Sequence, residues 1–312
     1  MSFQPIVIMG VFAMDLAFRT PVMPAWGETL RGADFRMGPG GKGSNQAVAA
    51  ARLGGDVYFI SKVGNDNFGA LARQTHRSEG VHADFLFESA GSSTGAALIV
   101  VDEARGENAI VVVPGAADEL TLQEIDMAER QISSAACLMT QLELPLPLVE
   151  HGLKVAQRHG IPTILNPAPG CALPDSLLEL CDYLTPNESE ATALTGLPVQ
   201  TWEQAEHAAE ILLARGVRNV VVTLGDRGAL VKNTQLTARV DAFNAGRVVE
   251  TTGAGDALNG GFAVGLSEGM DVVSAVRFGC AAAGISVTRP GTAPSMPRRS
   301  EVDALLANGR CG

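Results

Sequence analysis

The segment V-V-E-T-T-G-A-G-D-A-L-N-G-G-F-A-V-G at residues 248–265 joins a glycine turn to a carboxylate. Its two valines predict a strand that ends at Glu250, and apolar residues at helical spacing predict a helix that begins near Gly255. The first amides of a helix have no partner inside it and lie at the positive end of its dipole, so they can bind an anion. Asp256 beside them could accept a proton, as phosphoryl transfer to a hydroxyl requires, or could only cap the helix.

A second glycine-rich turn, G-P-G-G-K-G at residues 38–43, precedes an alanine-rich segment that predicts a helix over Gly43–Leu53. The spacing matches the G-x-G-x-x-G fingerprint, so a dehydrogenase is one interpretation. No clean buried strand precedes this turn, and Lys42 is followed by Gly rather than by the Ser or Thr of a Walker loop, so both nucleotide fingerprints are weak here. The remaining alternatives are a plain helix-opening turn and a turn that approaches a small ligand beside Asn45.

Three further segments place polar or small residues where a predicted strand ends. T-P-N-E-S-E at residues 185–190 either forms a capping box from Asn187 and Glu190 or uses these side chains to hold a hydrated magnesium ion. T-L-G-D-R-G at residues 223–228 is either a simple turn or room for a flat or phosphorylated ligand. Q-L-E at residues 141–143 ends another strand. Because ligands of open α/β sheets bind at the carboxyl ends of strands, these segments predict one shared cleft.

Composition narrows the class of protein. The 312 residues carry a formal net charge of -11, which argues against nucleic acid or an anionic membrane as the main partner. No stretch approaches about 18 uncharged apolar residues, and the N-terminus lacks the basic region of a signal peptide, so we expect a soluble protein. The five cysteines are scattered without a C-x-x-C pair, which predicts reduced thiols, no zinc site and a cytoplasmic location.

Predicted strands and helices alternate over most of the chain. The strands are predicted at Ile6–Gly10, Val57–Val63, Cys137–Leu142, Thr163–Asn166, Tyr183–Thr185 and Val220–Leu224. The helices are predicted at Phe68–Glu79, Leu122–Ser133, Leu148–His159 and Glu203–Arg215, with one more that ends at Thr195. This alternation predicts an α/β domain with a mostly parallel sheet covered by helices on both faces. Two β runs, Thr94–Val101 and Ala109–Val113, form a hairpin signal, and with edge or irregular β-structure over Leu16–Met37 they predict a small separate sheet.

The ordered motifs resemble those of the ribokinase-like (PfkB) carbohydrate kinases. G-G-K-G-S-N-Q-A from Gly40, followed by Gly54 and Gly64, resembles the first signature of that family, and T-T-G-A-G-D from Thr251 resembles the second. T-P-N-E, T-L-G-D-R-G and the tail V-T-R-P-G-T-A-P-S from Val287 follow in the family's order. The resemblance covers essentially the whole chain, and several ordered motifs together are more specific than any single one.

The resemblance implies a Rossmann-like sheet in a single domain over residues 1–312, with a small β lid formed by about 14–37 and 94–113. It implies a homodimer through contact between lids. It also implies ATP with Mg²⁺ as the phosphoryl donor, the primary hydroxyl of a sugar such as ribose as the acceptor, and K⁺ bound beside the anion site.

Each position that matches a family motif takes an implied role. Asp256 would be the base, and the amides of Gly253, Ala254 and Gly255 would stabilise charge on the transferring phosphoryl group. The implied sugar-binding residues are Asp15, Gly41, Lys42, Asn45 and Glu143, together with Asp256. The implied ATP-binding residues are Asn187, Thr223, Gly225 and Gly228, with Glu190 acting through magnesium and its waters. The implied potassium ligands are Glu250, Thr252, Ser286, Arg289, Gly291 and Ser295, mostly through backbone oxygens.

Two positions depart from the family pattern. Family members that act on ribose usually carry Asn where this chain has Ala13, and alanine cannot hydrogen-bond a sugar hydroxyl, so the preferred sugar can change. Glu250 stands where the family usually has Asp, which bears on potassium activation. The alternatives are therefore a kinase for 2-deoxyribose, a nucleoside or another sugar, and a non-catalytic sugar- or nucleotide-binding protein.

Overall fold

The computed structural model describes residues 4–102, 104–105 and 107–309, so Cys311 and part of the hairpin connection 102–108 lie outside the described residues. The strands are β1 (Ile6–Met9), β2 (Ala13–Thr20), β3 (Asp34–Gly40), β4 (Val57–Gly64), β5 (His82–Ser89), β6 (Thr94–Asp102), β7 (Glu107–Gly115), β8 (Cys137–Gln141), β9 (Thr163–Asn166), β10 (Tyr183–Leu184), β11 (Asn219–Thr223), β12 (Ala229–Lys232) and β13 (Thr237–Val240). The helices are α1 (Lys42–Arg52), α2 (Asn67–Glu79), α3 (Leu122–Asp126), α4 (Glu129–Ile132), α5 (Leu146–Arg158), α6 (Asp175–Leu178), α7 (Glu188–Thr195), α8 (Trp202–Ala214), α9 (Ala254–Ser267), α10 (Val272–Ser286) and α11 (Arg299–Ala307).

A nine-stranded sheet forms the centre of the molecule, in the order β13-β12-β11-β10-β9-β8-β1-β4-β5. The strands from β11 to β5 are parallel, and β12 and β13 are added as an antiparallel hairpin. Side chains of a strand alternate between the two faces, and in β1 Ile6 and Ile8 pack in one core layer while Val7 and Met9 pack in the other. All four are fully buried. The predicted α/β fold, a mostly parallel sheet with helices on both faces, is confirmed.

A separate four-stranded sheet has the order β3-β2-β6-β7. The pairs β2–β3 and β6–β7 are antiparallel and β2–β6 is parallel. The stretch 16–37, predicted as irregular or edge β-structure, supplies most of β2 and β3, with no helix or strand over residues 21–33. Since β2 follows β1 after only a short connection and β3 leads directly into α1, this small sheet lies next to the first glycine turn.

Some local predictions were wrong. The strand predicted to end at Glu250 is absent: Val248 and Val249 are exposed, and the amides of Val249 and Glu250 both donate to the Val287 carbonyl, at 2.8 and 3.2 Å. Two consecutive amides that share one acceptor cannot form a ladder. The single helix predicted over residues 122–133 is divided into α3 and α4.

The described residues contain free thiols at Cys137, Cys171, Cys181 and Cys280. Burial raises the pKa of the Cys137 thiol to about 12, which keeps it protonated and unreactive. Among the helices of the described ranges, none combines the length and hydropathy that crossing a bilayer requires.

Candidate active site

Two glycine turns aim two helix N-termini at one cleft. Gly41 precedes α1 with φ of 85° and Gly253 precedes α9 with φ of 83°, a conformation that side chains other than glycine rarely adopt. A Cβ on Gly41 would lie 2.4 Å from the Val11 carbonyl oxygen. At Gly260 of α9, a Cβ would lie 2.6 Å from the Ala49 Cβ of α1, so glycine there lets the two helices approach closely. The facing ends of α1 and α9 are thereby fixed relative to each other.

The Asp256 carboxylate lies between these helices and is almost fully buried, with 6% exposure. Asn45 Nδ2 donates to its Oδ2 at 3.0 Å, and Gln46 Nε2 donates to its Oδ1 at 3.0 Å. Burial raises the pKa of Asp256, and the charge of Lys42 together with these two amide donors opposes that shift. Gly253 is the N-cap of α9, which has no side-chain capping hydrogen bond, so the Asp256 carboxylate does not cap the helix and lies in the cleft as a candidate proton acceptor.

Lys42 places a positive charge in the cleft. Burial lowers its pKa, but the charges of Asp256, Glu143, Glu190 and Asp15 outweigh that effect and leave the pKa above its ordinary value. Lys42 therefore stays protonated at neutral pH. Its backbone amide also donates to Glu143 Oε2 at 2.8 Å, which joins the first turn of α1 to the end of β8.

Two other carboxylates border the cleft from the small sheet and from β8. Burial raises the pKa of Asp15 to about 6 and that of Glu143 to about 7. Thr292 Oγ1 lies 3.1 Å from Asp15 Oδ2 and also 3.1 Å from the Pro39 carbonyl oxygen. Carboxylates that lack a full set of donors in a polar cleft are suited to accept hydrogen bonds from sugar hydroxyls.

The turn at Gly253–Gly255 is the segment predicted as an anion site. The Ala254 amide donates to the Thr251 carbonyl at 3.2 Å, so this amide would have to leave that partner in order to bind an anion. A Cβ on Gly255 would meet no atom within 4 Å, so the protein leaves open space above the start of α9. Because no packing requirement explains glycine at this position, close approach by a ligand does so better.

Asn187 and Glu190 form a complete capping box at the start of α7. Glu190 N donates to Asn187 Oδ1 at 2.8 Å and Asn187 N donates to Glu190 Oε2 at 2.9 Å, so the capping interpretation is correct. Glu190 is nevertheless 7% exposed, its pKa is raised by burial, and its charge acts on Lys42. The capping box therefore also places the Glu190 carboxylate at the cleft.

The β11 turn borders Asn187. Thr223 N donates to the Pro186 carbonyl at 2.9 Å, and Thr223 bridges to Asn187. Gly228, with φ of 99°, needs glycine for packing alone, because a Cβ would lie 2.0 Å from the Val240 carbonyl oxygen. At Gly225 a Cβ would meet nothing within 4 Å. Gly225 also has a positive φ, of 58°, so the simple-turn interpretation accounts for both glycines, and the space beside Gly225 is open.

The residues predicted as a potassium site lie on two segments that the structure brings together. Gly291 N donates to Glu250 Oε2 at 2.9 Å, and Arg289 N donates to the Ser286 carbonyl at 3.1 Å. Ser295 Oγ donates to the Thr292 carbonyl at 2.7 Å. Thr252 is exposed beside the α9 turn. The Arg289 guanidinium is itself a cation without an acceptor atom and is paired with Glu301, so Arg289 could offer a cation only its backbone oxygen.

Any metal ion at this cleft would have to be held without a cluster of side-chain ligands. Across the described ranges, no group of three or more His, Cys, Asp or Glu side chains could hold a metal ion. A hydrated Mg²⁺ needs only one or two carboxylates plus substrate phosphates, and Glu190 fits that requirement because each of its oxygens accepts from Asn187 and keeps further lone pairs. The backbone oxygens of the two segments fit a hard monovalent cation.

Sequence reasoning missed the polar layer behind Asp256. Gln46, Gln141 and Asn166 are buried and form a continuous hydrogen-bonded chain with the Asp256 carboxylate. Thr292, which contacts Asp15, was missed as well. Gln46 and Thr292 both lie inside the quoted motifs, but their partners are distant in sequence, so the motifs alone did not reveal their contacts.

The parallel sheet, the facing helix N-termini and the buried carboxylate define a phosphotransferase that acts on a hydroxyl group. The sequence pattern described as pfkB family carbohydrate kinase matches residues 4–299. This chain belongs to the pfkB family of carbohydrate kinases, as the motifs predicted, and is a sugar kinase.

Individual relatives resemble the chain over nearly its whole length. The ribokinase of Haemophilus influenzae is 39% identical over 303 residues, which cover 97% of this chain and 98% of that protein. The deoxyribokinase of Salmonella typhi is 37% identical over 303 residues, which cover 97% of this chain and 98% of that protein. The structure of Arabidopsis thaliana ribokinase complexed with ribose and ATP has a TM-score of 0.91 at 32% identity, covering 98% of this chain and 99% of that one.

Proposed function

We propose that this protein transfers the γ-phosphoryl group of ATP to the 5-hydroxyl of D-ribose, which gives ribose 5-phosphate and ADP. The observation that carries the proposal is the buried Asp256 carboxylate, held by Asn45 and Gln46 at the N-terminus of α9. The relatives named above support the choice of substrates, since one is a ribokinase and another is a ribokinase complexed with ribose and ATP. A non-catalytic sugar-binding protein would have no use for this carboxylate beside an open anion turn.

In the proposed mechanism Asp256 accepts the proton of the sugar hydroxyl as that oxygen attacks the γ-phosphorus. Asp15, Asn45 and Glu143, with the backbone of Gly41, hold the other hydroxyls and orient the attacking one. Lys42 and the amides of Gly253, Ala254 and Gly255 stabilise the negative charge that spreads over the phosphoryl oxygens in the transition state. Because Lys42 is protonated at neutral pH, its charge is present without a proton transfer.

ATP is proposed to bind along the ends of β10 and β11. Asn187, Thr223, Gly225 and Gly228 border it, with the open space at Gly225 available to the nucleotide. Mg²⁺ neutralises phosphate charge when bound, and Glu190 would hold its waters. K⁺ would lie beside the anion turn and be held by the oxygens of Glu250, Thr252, Ser286, Arg289, Gly291 and Ser295. The Glu250 carboxylate already accepts from Gly291 N, which ties the two segments together.

A second candidate substrate is 2-deoxyribose. Ala13 is buried at the start of β2, two residues from Asp15, and its methyl group can make no hydrogen bond to a sugar hydroxyl. The similarity to a deoxyribokinase favours this alternative. A sugar that lacks one hydroxyl loses nothing at such a position, whereas ribose leaves a hydroxyl without a partner there.

The test is ADP release from MgATP with ribose, 2-deoxyribose, fructose and adenosine as acceptors, with and without KCl. The proposal expects the highest kcat/KM with ribose and a higher rate with K⁺ than with Na⁺. A clear preference for 2-deoxyribose would replace the substrate and keep the mechanism. Absence of ADP release with every acceptor would refute the enzymatic proposal, and an ATP titration by calorimetry would then identify a nucleotide-binding protein.

We further propose that the small sheet is a lid over the cleft and that its outer face joins two copies in a homodimer, in the cytoplasm. Cross-strand pairing puts Phe18 beside Phe35 and Leu98 beside Val111 on the face opposite Asp15, and all four are exposed. Apolar rows of this kind are typical of interfaces. Sedimentation measurements should show that Val111→Asp converts the protein to a monomer. The control Val112→Asp, which lies on the Asp15 face, should leave the dimer intact. A wild-type protein that sediments as a monomer would refute the proposed dimer.

A further inference from the structure

Gln46 lies directly behind the Asp256 carboxylate and is fully buried. Its Nε2 has two hydrogens, and the structure gives them two acceptors: Asp256 Oδ1 at 3.0 Å and Asn166 Oδ1 at 3.1 Å. Its Oε1 accepts from Gln141 Nε2 at 2.6 Å. Both N–H groups and the oxygen of the Gln46 amide are therefore engaged in hydrogen bonds within the protein.

The neighbours of Gln46 fix which way its amide points. Asn166 Nδ2 donates to the Thr185 carbonyl at 3.1 Å, so Asn166 presents its oxygen to Gln46. Gln141 presents its NH₂ group to Gln46 from the other side. If the Gln46 amide were reversed, its NH₂ would face the NH₂ of Gln141 and its oxygen would face two acceptors. Asn166 on β9 and the Asp256 carboxylate therefore set the direction of the Gln46 amide, and Gln141, whose Oε1 has no partner within the described residues, holds the Gln46 oxygen.

Asn45 and Gln46 are not equivalent partners of Asp256. Asn45 binds Oδ2 and carries a buried Oδ1 without a hydrogen-bond partner within the described residues, as expected of a side chain that gains partners when a sugar binds. Gln46 binds Oδ1 and has no solvent-facing surface, so a sugar cannot displace it. Asp256 Oδ1 is therefore occupied by a protein donor that the sugar cannot replace, whereas Asp256 Oδ2 can contact the substrate.

We propose that Gln46 is the positioning residue of the phosphoryl-transfer reaction: its amide, oriented by Asn166 and held at its oxygen by Gln141, holds Asp256 Oδ1 so that Oδ2 accepts the sugar proton. The inference rests on the proposed role of Asp256 as base. A hydrogen bond to a charged group contributes roughly 1.5–3 kcal/mol, so losing it corresponds to about a 10- to 100-fold effect. The lost donor acts on the carboxylate and not on the sugar, so kcat falls while KM for the sugar changes little.

The experiment compares wild type with Gln46→Leu, Gln46→Glu and Gln141→Leu, with Ser44→Ala as the matched control. Ser44 is also buried on α1, but its hydroxyl contacts His76 and not Asp256. We expect kcat of Gln46→Leu to fall about tenfold or more with KM for the sugar within about threefold, a larger fall in Gln46→Glu, a smaller one in Gln141→Leu, and no change in Ser44→Ala.

The pH dependence separates positioning from mere loss of structure. The charged groups around Asp256 are Lys42, Asp15, Glu143 and Glu190, and all of them are kept in these variants. Because Gln46 stabilises the ionised carboxylate, the acid limb of the kcat profile should move to higher pH in Gln46→Leu and further in Gln46→Glu. The inference is overturned if the acid limb is unchanged in both Gln46 variants, or if kcat of Gln46→Leu stays within about threefold of wild type. If Gln46→Leu does not fold, Gln46→Glu and Gln141→Leu decide the question.

Failure of the proposed function gives a different pattern. If Asp256→Asn keeps full turnover, Asp256 is not the base, and the proposed mechanism falls together with the role of Gln46. If Asp256→Asn is inactive but the Gln46 variants behave as wild type, only the role of Gln46 falls. If wild type phosphorylates no sugar, ¹³C-carboxyl titration of Asp256 replaces kinetics: a midpoint raised in Gln46→Leu supports the contact's effect, and an unchanged midpoint refutes it.

Discussion

Replacing Gly255 by Ala should stabilise the protein while it inactivates the enzyme. Gly255 is the second residue of α9, and an added Cβ would meet no protein atom within 4 Å. Alanine in a helix is favoured over glycine by roughly 0.5–1 kcal/mol because it restricts the unfolded chain. The same methyl group would occupy the space through which, in the proposed mechanism, a phosphoryl oxygen reaches the amides of the turn.

The two effects differ greatly in size. The entropy of unfolding is about 2.1 cal/mol/K per residue, or about 0.65 kcal/mol/K for 312 residues, so a gain of roughly 0.5–1 kcal/mol raises Tm by about 1 °C. Loss of one donor from a preorganised anion site lowers kcat by roughly 10²–10³. We therefore expect kcat of Gly255→Ala to fall at least about 100-fold, with calorimetric ribose binding unchanged within about threefold.

The assay is ADP release at saturating ribose and MgATP, combined with a thermal melt of the same preparation. Gly91→Ala is the control, since a Cβ there meets only Ser89 Oγ at 4.0 Å and the residue lies in an exposed turn away from α9. A kcat within about threefold of wild type would refute the claim that the phosphoryl group approaches Gly255. A Tm lowered by several degrees would show that the position is not open.

Three further predictions concern Asp15 and Glu143, the carboxylates proposed to bind the sugar. Burial raises the pKa of Glu143 to about 7 and that of Asp15 to about 6, so kcat/KM for the sugar should fall as the pH decreases through these values. In Glu143→Gln the part of this fall near the higher pKa should be lost. A profile that is flat from about pH 5.5 to 8 would contradict this prediction. Because the folded state holds these protons more tightly than the unfolded chain, the free energy of unfolding should decrease as pH rises from about 4 to about 7, as denaturant titrations can measure. Thr292→Val removes the hydroxyl beside Asp15 Oδ2 and should raise KM for the sugar about five- to tenfold with kcat little changed. The control Thr195→Val, which removes a hydroxyl that bonds locally at the end of α7, should change neither value. An unchanged KM in Thr292→Val would contradict a role of this contact in sugar binding.

The sequence was sufficient to predict the fold class because the α/β alternation is regular and each parallel strand is a short apolar run. The helix after Gly253 and the cleft at the strand ends were predictable for the same reason, since local turn chemistry sets both. The strand predicted at Glu250 failed because an apolar pair says nothing about whether a neighbouring strand exists. Strand β5 was missed because it lies at the sheet edge, is partly exposed and is not the continuous apolar run that marks the buried parallel strands.

The polar layer behind Asp256 could not be predicted from the sequence. Gln46 lies 95 residues from Gln141 and 120 residues from Asn166, and only the packing of α1 against the sheet brings the three amides together. The capping box of Asn187 and Glu190 shows the reverse case: a purely local motif was correctly interpreted, yet its burial and its proximity to Lys42 depend on the tertiary fold. Motifs therefore predicted the candidate site, and long-range contacts determine how each group in it is held.

The most direct test of the central claim is the turnover of Asp256→Asn with ribose and MgATP, measured beside its ribose affinity by calorimetry. Asparagine keeps the shape of the side chain but cannot accept the hydroxyl proton as a carboxylate does. We expect kcat to be lowered by a factor of about 100 or more and ribose binding to be nearly unchanged. A kcat close to that of wild type would contradict the assignment of Asp256 as the base and, with it, the mechanism proposed for this kinase.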